Sequence, residues 1–301
     1  MADRSEARAR ATTGVLFGLA AYGWWGFAAV YFKLVDAVLP LEILAHRIIW
    51  SVVVLLLIIA ASGRWKAMTR LLGAPASLAL LSLSTLLIAL NWYVFIWAIT
   101  HSRIVEASLG YFINPMVNVL LGFLVLHERL RLWEWISVAL AAAAVTWLTI
   151  SAGVIPWISL TLAISFALYG LIRKLAGVGA IEGLTVETVI LLPLAAGYLA
   201  WRAEAGALAF GAGSTRIDLL LVAAGPVTAL PLLWFAAAVR RLRLATIGLL
   251  QYLAPTIQFA LAVTVYGEPF SARRMVAFVL IWIALAIYSA DNFRNRERIR
   301  A

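Results

Sequence analysis

Apolar residues fall in ten long runs, each near the length that crosses a hydrocarbon layer as a helix, with polar residues collected between them. The runs cover residues 12–34, 42–62, 76–100, 104–126, 132–151, 155–173, 182–201, 217–239, 244–266 and 272–290. A helical span needs about 20 apolar residues. The apolar–polar alternation of barrel strands is missing, so the pattern predicts an all-α membrane protein with ten transmembrane helices. Connectors are short except for the Gly- and Ala-rich stretch 202–216. None of them could hold a soluble domain.

The pattern also repeats. At an offset of 140 positions (Leu90 to Leu230), Leu90-Asn91-Trp92-Tyr93-Val94-Phe95 falls on Leu230-Pro231-Leu232-Leu233-Trp234-Phe235. The register continues ungapped through Arg103 on Arg243, Pro115 on Pro255 and Glu128 on Glu268. Two five-helix units follow, 12–151 and 152–291. Five is odd, so the second unit must enter the bilayer from the opposite side. Inverted repeats of this kind build many secondary transporters, because two similar halves can pack in two near-equivalent ways around one site.

Composition agrees. Apolar residues make up 64% of the chain and charged residues 13%, against about half and about a quarter in soluble domains. The mean hydropathy is +0.99. The net charge of +10 is a topology signal more than a partner signal. With the N-terminus in the cytoplasm, seventeen of the 24 Lys and Arg residues lie in inner segments. Outer segments hold Lys33, Arg103, Arg202, Arg216, Arg273 and Arg274, and Arg47 lies within a span. That bias places both termini in the cytoplasm, and anionic lipid accounts for the basic excess without a nucleic-acid partner. The long first run lacks a small-residue cleavage site and reads as a retained helix.

Enzymatic signals are missing. There is no cysteine, hence no disulfide, thiolate metal site or cysteine nucleophile. His46, His101 and His127 are not at metal-ligand spacing, and neither a Gly-x-Ser-x-Gly elbow nor a P-loop is present. No metal or cofactor is expected. Gly14 and Gly18 form a GxxxG that suits helix packing.

Polar residues inside the spans are the site candidates, since in hydrocarbon each must find a partner or water. Glu106, Gly110, Asn114 and Asn118 recur every four residues along one face of the fourth span. Pro115 and Pro255 each lack the N–H that their helix needs and free the carbonyls of Tyr111 and Gln251, so both are expected helix kinks. Asn91, Tyr111, Asn114 and Gln251 are candidate polar substrate contacts, with interhelical glue as the alternative. Trp24, Tyr169, Trp234 and Tyr252 are candidate aromatic lining for an organic substrate. Other aromatics, such as Trp65, Trp133, Trp135 and Trp157, fall at span ends and suit interface anchoring. Arg47 and Glu106 lie at similar depths near the outer face, and the offset carries Arg47 onto Glu187 near the inner face. The expectation is an Arg47–Glu106 outer gate and an inner gate of Glu187 with a basic residue such as Arg243; static ion pairs are the alternative. His46 and Glu106 are candidate proton sites. Glu128 and Glu268, at matching helix ends, suit capping.

The runs Ala45-His46-Arg47-Ile48-Ile49-Trp50-Ser51, Glu106-Ala107-Ser108-Leu109-Gly110-Tyr111-Phe112-Ile113-Asn114-Pro115 and Arg241-Leu242-Arg243-Leu244 resemble those of the RarD group of EamA-type transporters, in the drug/metabolite transporter superfamily. Similar matches at Trp25-Gly26, Tyr169-Gly170 and Tyr266-Gly267-Glu268 extend the resemblance over nearly the whole chain. It implies ten helices in two repeats, an inner-membrane location and a central cavity formed by helices 1, 3, 4, 6, 8 and 9. The expected function is secondary export of a small organic metabolite or amphiphilic drug. The alternatives are a flippase for a lipid-linked intermediate and a non-transporting receptor.

Overall fold

A computed structural model describes residues 2–127, 129–239, 241 and 250–298. Among the described residues there are eleven helices and no strand: α1 Ala2–Leu34, α2 Pro40–Ala61, α3 Trp65–Leu72, α4 Pro75–Thr100, α5 Ile104–Leu126, α6 Leu132–Ala152, α7 Trp157–Ala176, α8 Ala180–Glu204, α9 Thr215–Val239, α10 Leu253–Thr264 and α11 Ala272–Arg298. Nine of them are long and apolar enough to cross a membrane, and α10 is shorter. Large apolar side chains such as Leu57, Leu86, Ile150 and Leu194 are exposed on the outside of the bundle, where lipid would cover them. Trp65, Trp133, Trp135 and Trp157, all at helix starts, are exposed as well, as interface anchors require.

Two local features differ from the sequence expectation. The connector after α2 contains α3, a two-turn helix that buries Met68 and Leu71 and leaves Lys66 and Arg70 at its polar edge. Only eight residues long, it offered too short a window for periodicity to register. The run 244–266 is not one unbroken helix either. Gln251 and Tyr252 form a turn, and Pro255 sits in the first turn of α10. Proline cannot donate to the carbonyl four residues back, so a helix starts afresh here instead of bending. Pro115 stays inside α5, and Pro193, Pro226 and Pro231 also lie inside helices.

Packing is paired. α5 lies against α7 and α1 against α10; α4 lies against α7 and α1 against α9; α2 packs on α8, α6 on α11 and α5 on α10. Two of these pairs run antiparallel, as their ends show. Glu42 at the start of α2 meets Arg202 near the end of α8 at 3.6 Å, and Arg64 just after α2 meets Glu182 at the start of α8 at 2.7 Å. Arg131 before α6 meets Asp291 late in α11 at 3.0 Å, and Arg273 at the start of α11 donates to the Ser151 carbonyl at 2.7 Å.

Close approach of α5 and α7 depends on Gly110. A Cβ placed there would lie 2.7 Å from the Ser159 carbonyl oxygen and 3.1 Å from Leu162 Cβ. A backbone oxygen cannot swing aside, so α7 itself would have to move. Gly110→Ala is expected to destabilise the protein by about 1–3 kcal/mol, the usual range for overpacking. Gly23→Ala, where nothing lies within 4 Å, is the matched control and should be close to neutral. Thermal unfolding of the two variants in detergent decides it: equal melting temperatures would show that the α5–α7 seam is not close-packed at Gly110.

Candidate functional site

Among the described residues, three polar groupings bear on the sequence candidates, two near opposite ends of the bundle and one between them. Beside the starts of α2 and α5 lies the first. Glu42 is fully buried; its Oε1 accepts the Ala209 N–H at 2.6 Å, pinning the loop 205–214 over the start of α2. One turn on, His46 is buried under the ring of Phe210 at a centroid distance of 5.0 Å, with no partner on Nε2. Glu106 is held by Arg103 at 2.7 Å and by Arg274 at 3.2 Å. The Glu106 hydrogen bond is the main reason the Arg103 pKa is raised. A cleft of about 300 Å³ opens beside this trio, bounded by Leu148, Trp157, Ser159 and Phe278.

Glu268 belongs to the same end. Its two carboxylate oxygens accept the backbone N–H groups of Ile104 at 2.7 Å and Val105 at 2.9 Å. These are orphan donors at the start of α5, and a carboxylate also suits the positive end of the helix dipole. Capping is thus its role; Glu128, its equivalent, lies outside the described residues.

The second grouping centres on Glu187, fully buried in α8. Ser84 Oγ donates to it at 2.6 Å and the Tyr169 hydroxyl at 3.2 Å, while Arg173 Nη1 lies 3.4 Å away. Its cation is therefore Arg173 of α7; Arg243 lies outside the described residues. In the sequence Arg173 is one of the seventeen inner basic residues that signal topology, and its place one turn beyond Tyr169 puts both on one face of α7.

Between these ends lies Arg47. The structure does not bring it to Glu106, whose carboxylate is already taken by two other arginines. Its guanidinium instead stacks over Trp92 at 4.1 Å and lies 5.7 Å from the Phe32 ring. Trp92 and Phe32 are buried, so Arg47 points inward, yet it keeps some accessible surface. Tyr31 and Tyr111 lie within electrostatic reach of it.

The amides mostly hold helices together. Asn91 donates to the Leu162 carbonyl at 3.1 Å and to Ser165 at 3.0 Å, and accepts from the Tyr111 hydroxyl at 3.2 Å. Asn114 donates to the Ala163 carbonyl at 3.0 Å. Both stitch α7 to its neighbours. Gln258 does the same between α10 and α1 through the Trp25 carbonyl at 3.1 Å. Trp24 and Trp234 face each other across the α1–α9 seam at 5.6 Å. The Trp24 indole donates to the Val227 carbonyl at 3.0 Å, the one that Pro231 leaves without its helical donor. Tyr252 lies away from this interior, in a shallow groove with Phe112 and Trp282, and Gln251 precedes it in the turn.

Residues 12–150 match the model of the EamA-like transporter family. The chain is 49% identical over 285 residues to the protein RarD of Salmonella typhi, covering 95% of this chain and 97% of that one. It is 45% identical over 290 residues to an uncharacterized transporter of Vibrio cholerae serotype O1, covering 96% of each. One solved structure, described only as the crystal structure of a protein, is similar with a TM-score of 0.54 at 19% identity, over 92% of this chain and 96% of its own. That last likeness concerns the fold alone.

Removing the cation from Glu187 tests the second grouping. Arg173→Met leaves a buried carboxylate without a counter-charge and is expected to cost about 3–5 kcal/mol. Pairing it with Glu187→Gln should return most of that loss, so the two changes are not additive in a double-mutant cycle. Strict additivity in detergent unfolding would mean that the two groups do not interact.

Proposed function

The chain belongs to the EamA-like transporter family, with RarD proteins among its relatives, and we propose that it is a secondary exporter of a small organic metabolite or amphiphilic drug, working by alternating access across the bacterial inner membrane. In this reading it has ten spans in two inverted units, 12–151 and 152–291. The ninth is the run 244–266, whose described part holds α10. Both termini lie in the cytoplasm, in keeping with the bias of Lys and Arg.

One observation carries the reading: the principal contacts between the units recur as their own equivalents when residue numbers are shifted by the repeat offset. That shift exchanges α1 with α7, α4 with α9 and α5 with α10. It turns the α5–α7 contact into α10–α1 and the α4–α7 contact into α9–α1, and both members of each exchange are present. The equivalent helices α2 and α8 run antiparallel through ion pairs at both ends, and α6 and α11 through an ion pair at one end and an arginine–carbonyl hydrogen bond at the other, as inversion demands. The family match over 12–150 also falls on the first unit.

The substrate path runs between the units, along α1, α4, α5, α7, α9 and α10. Trp24, Trp234, Tyr111 and Tyr169 line it. Asn91 and Asn114 hold its wall, and Gln251 and Tyr252 sit at the break where α10 begins. The outer closure consists of Glu106 with Arg103 and Arg274, together with Glu42 beneath the 205–214 loop. The inner closure consists of Glu187 with Arg173, and of Arg64 with Glu182. A proton coupled to transport would be carried by His46 rather than Glu106, whose carboxylate is committed to two arginines.

Because the natural chain has no cysteine, engineered cysteines report without background. Ala74→Cys and Ser214→Cys occupy equivalent positions in the two units, and a membrane-impermeant maleimide should label them from opposite sides of the membrane. Labelling from the same side would rule out inversion. For alternation, a cysteine at Trp234 reports on the path. A disulfide between Glu42→Cys and Ala209→Cys should leave it reachable only from the cytoplasm. A disulfide between Arg64→Cys and Glu182→Cys should leave it reachable only from outside. Identical labelling in both locked forms would overturn alternating access.

A further inference from the structure

We infer that Arg47 is the anchor for a negatively charged group on the transported molecule, so that the substrates are organic monoanions with an aromatic or apolar body, bound through a carboxylate. This rests on the carrier reading above and adds the chemical class of the cargo.

The guanidinium has no counter-charge among the described residues. Among the described residues no carboxylate reaches it and no hydrogen bond is made to it, and its Nε is covered without a partner. The acidic groups at this end of the bundle are engaged elsewhere. Glu106 is held by Arg103 and Arg274, Glu42 by Arg202 and the Ala209 N–H, and Glu268 by the start of α5. Asp218 accepts from Gly211 N–H. An arginine in a span ordinarily pairs or reaches water at the membrane surface. Arg47 makes no such pair: it lies two turns inside α2 and its guanidinium is stacked over buried rings.

The contrast with Glu187 strengthens the case. It occupies the equivalent place in the second unit and is satisfied by Ser84, Tyr169 and Arg173. One of two matching charges is neutralised within the protein, and the other awaits a partner from outside.

The surroundings narrow what that partner is. Trp92 supplies a flat apolar floor 4.1 Å beneath the guanidinium, and Phe32 a wall 5.7 Å away. A guanidinium stacked in this way keeps its edge free for the two oxygens of a planar carboxylate. The two phenols nearby do not add donors. The Tyr31 hydroxyl is spent on the Leu220 carbonyl at 2.8 Å and the Tyr111 hydroxyl on Asn91 at 3.2 Å. A dianion such as a phosphate monoester would bring a second negative charge that nothing there meets.

The probes are benzoate, indole-3-acetate and hexanoate, each beside its neutral amide, with phenyl phosphate as the dianion. Ligand that binds the native state raises its melting temperature. For the purified full-length protein, at least one acid should stabilise while its amide and phenyl phosphate do not. Arg47→Gln should weaken that acid at least tenfold, and Arg47→Lys should fall between, since it keeps the charge but loses the planar fork. Equal effects of acid and amide, no effect of any acid, or unchanged acid binding in Arg47→Gln would each overturn the assignment. Should Arg47→Gln not fold, the acid–amide–phosphate comparison on the unaltered protein decides alone. Flux of radiolabelled indole-3-acetate into proteoliposomes at pH 8 separates the two layers of the reading. Stabilisation without flux overturns the carrier and leaves the anion site standing; flux of the amide but not of the acid overturns the anion site and leaves the carrier.

Discussion

In a hydrocarbon layer no water is at hand to satisfy a backbone group that its own helix leaves unpaired. That constraint organises this protein more than any single charge does. At two places where a helix ladder breaks or begins inside the bundle, a side chain from another element supplies the missing partner. The Trp24 indole answers the carbonyl exposed by Pro231, and Glu268 answers the first donors of α5. Amides of Asn91 and Asn114 bind main-chain carbonyls of α7. These bonds cross between helices that belong to different halves of the chain, so the same requirement that stabilises the backbone also fastens the halves together.

Matching positions in the two halves solve one problem by different chemistry. Asn91 holds α4 to α7 by donating to a carbonyl. Its equivalent, Pro231, holds α9 to α1 by leaving a carbonyl free for Trp24. Position 47 carries an unpaired guanidinium and position 187 a carboxylate with three partners. The two halves are alike in packing and unlike in polarity. A strictly symmetric interior would present the same groups at both mouths, and this one does not.

The all-helical class, nine of the apolar spans and the exposed tryptophans at helix starts are legible in the sequence because lipid imposes a strong, uniform rule on composition. The capping role of Glu268 was legible too, from its position immediately past a span. Ion-pair partners were not. Glu106 and Arg47 share a depth, but depth says nothing of azimuth, and the third residue of α5 faces Arg274 while the eighth of α2 faces Trp92. Arg173 and Arg274 stand in the sequence only as topology signals, since a charge near a span end reads the same whether it meets a headgroup or a buried carboxylate. The short α3 and the turn at Gln251–Tyr252 escaped a reading based on runs of twenty residues. The use of Asn91 and Asn114 as fasteners became apparent only once the carbonyls of α7 had a position.

The Glu268 cap bears on how the protein is made. Helix α5 is threaded into the membrane well before residue 268 leaves the ribosome, so its first two amides must wait, tied to headgroups or water, until the last third of the chain arrives. The N-terminal half therefore cannot complete the start of α5 alone; the partner for those amides is one acidic side chain made late in synthesis.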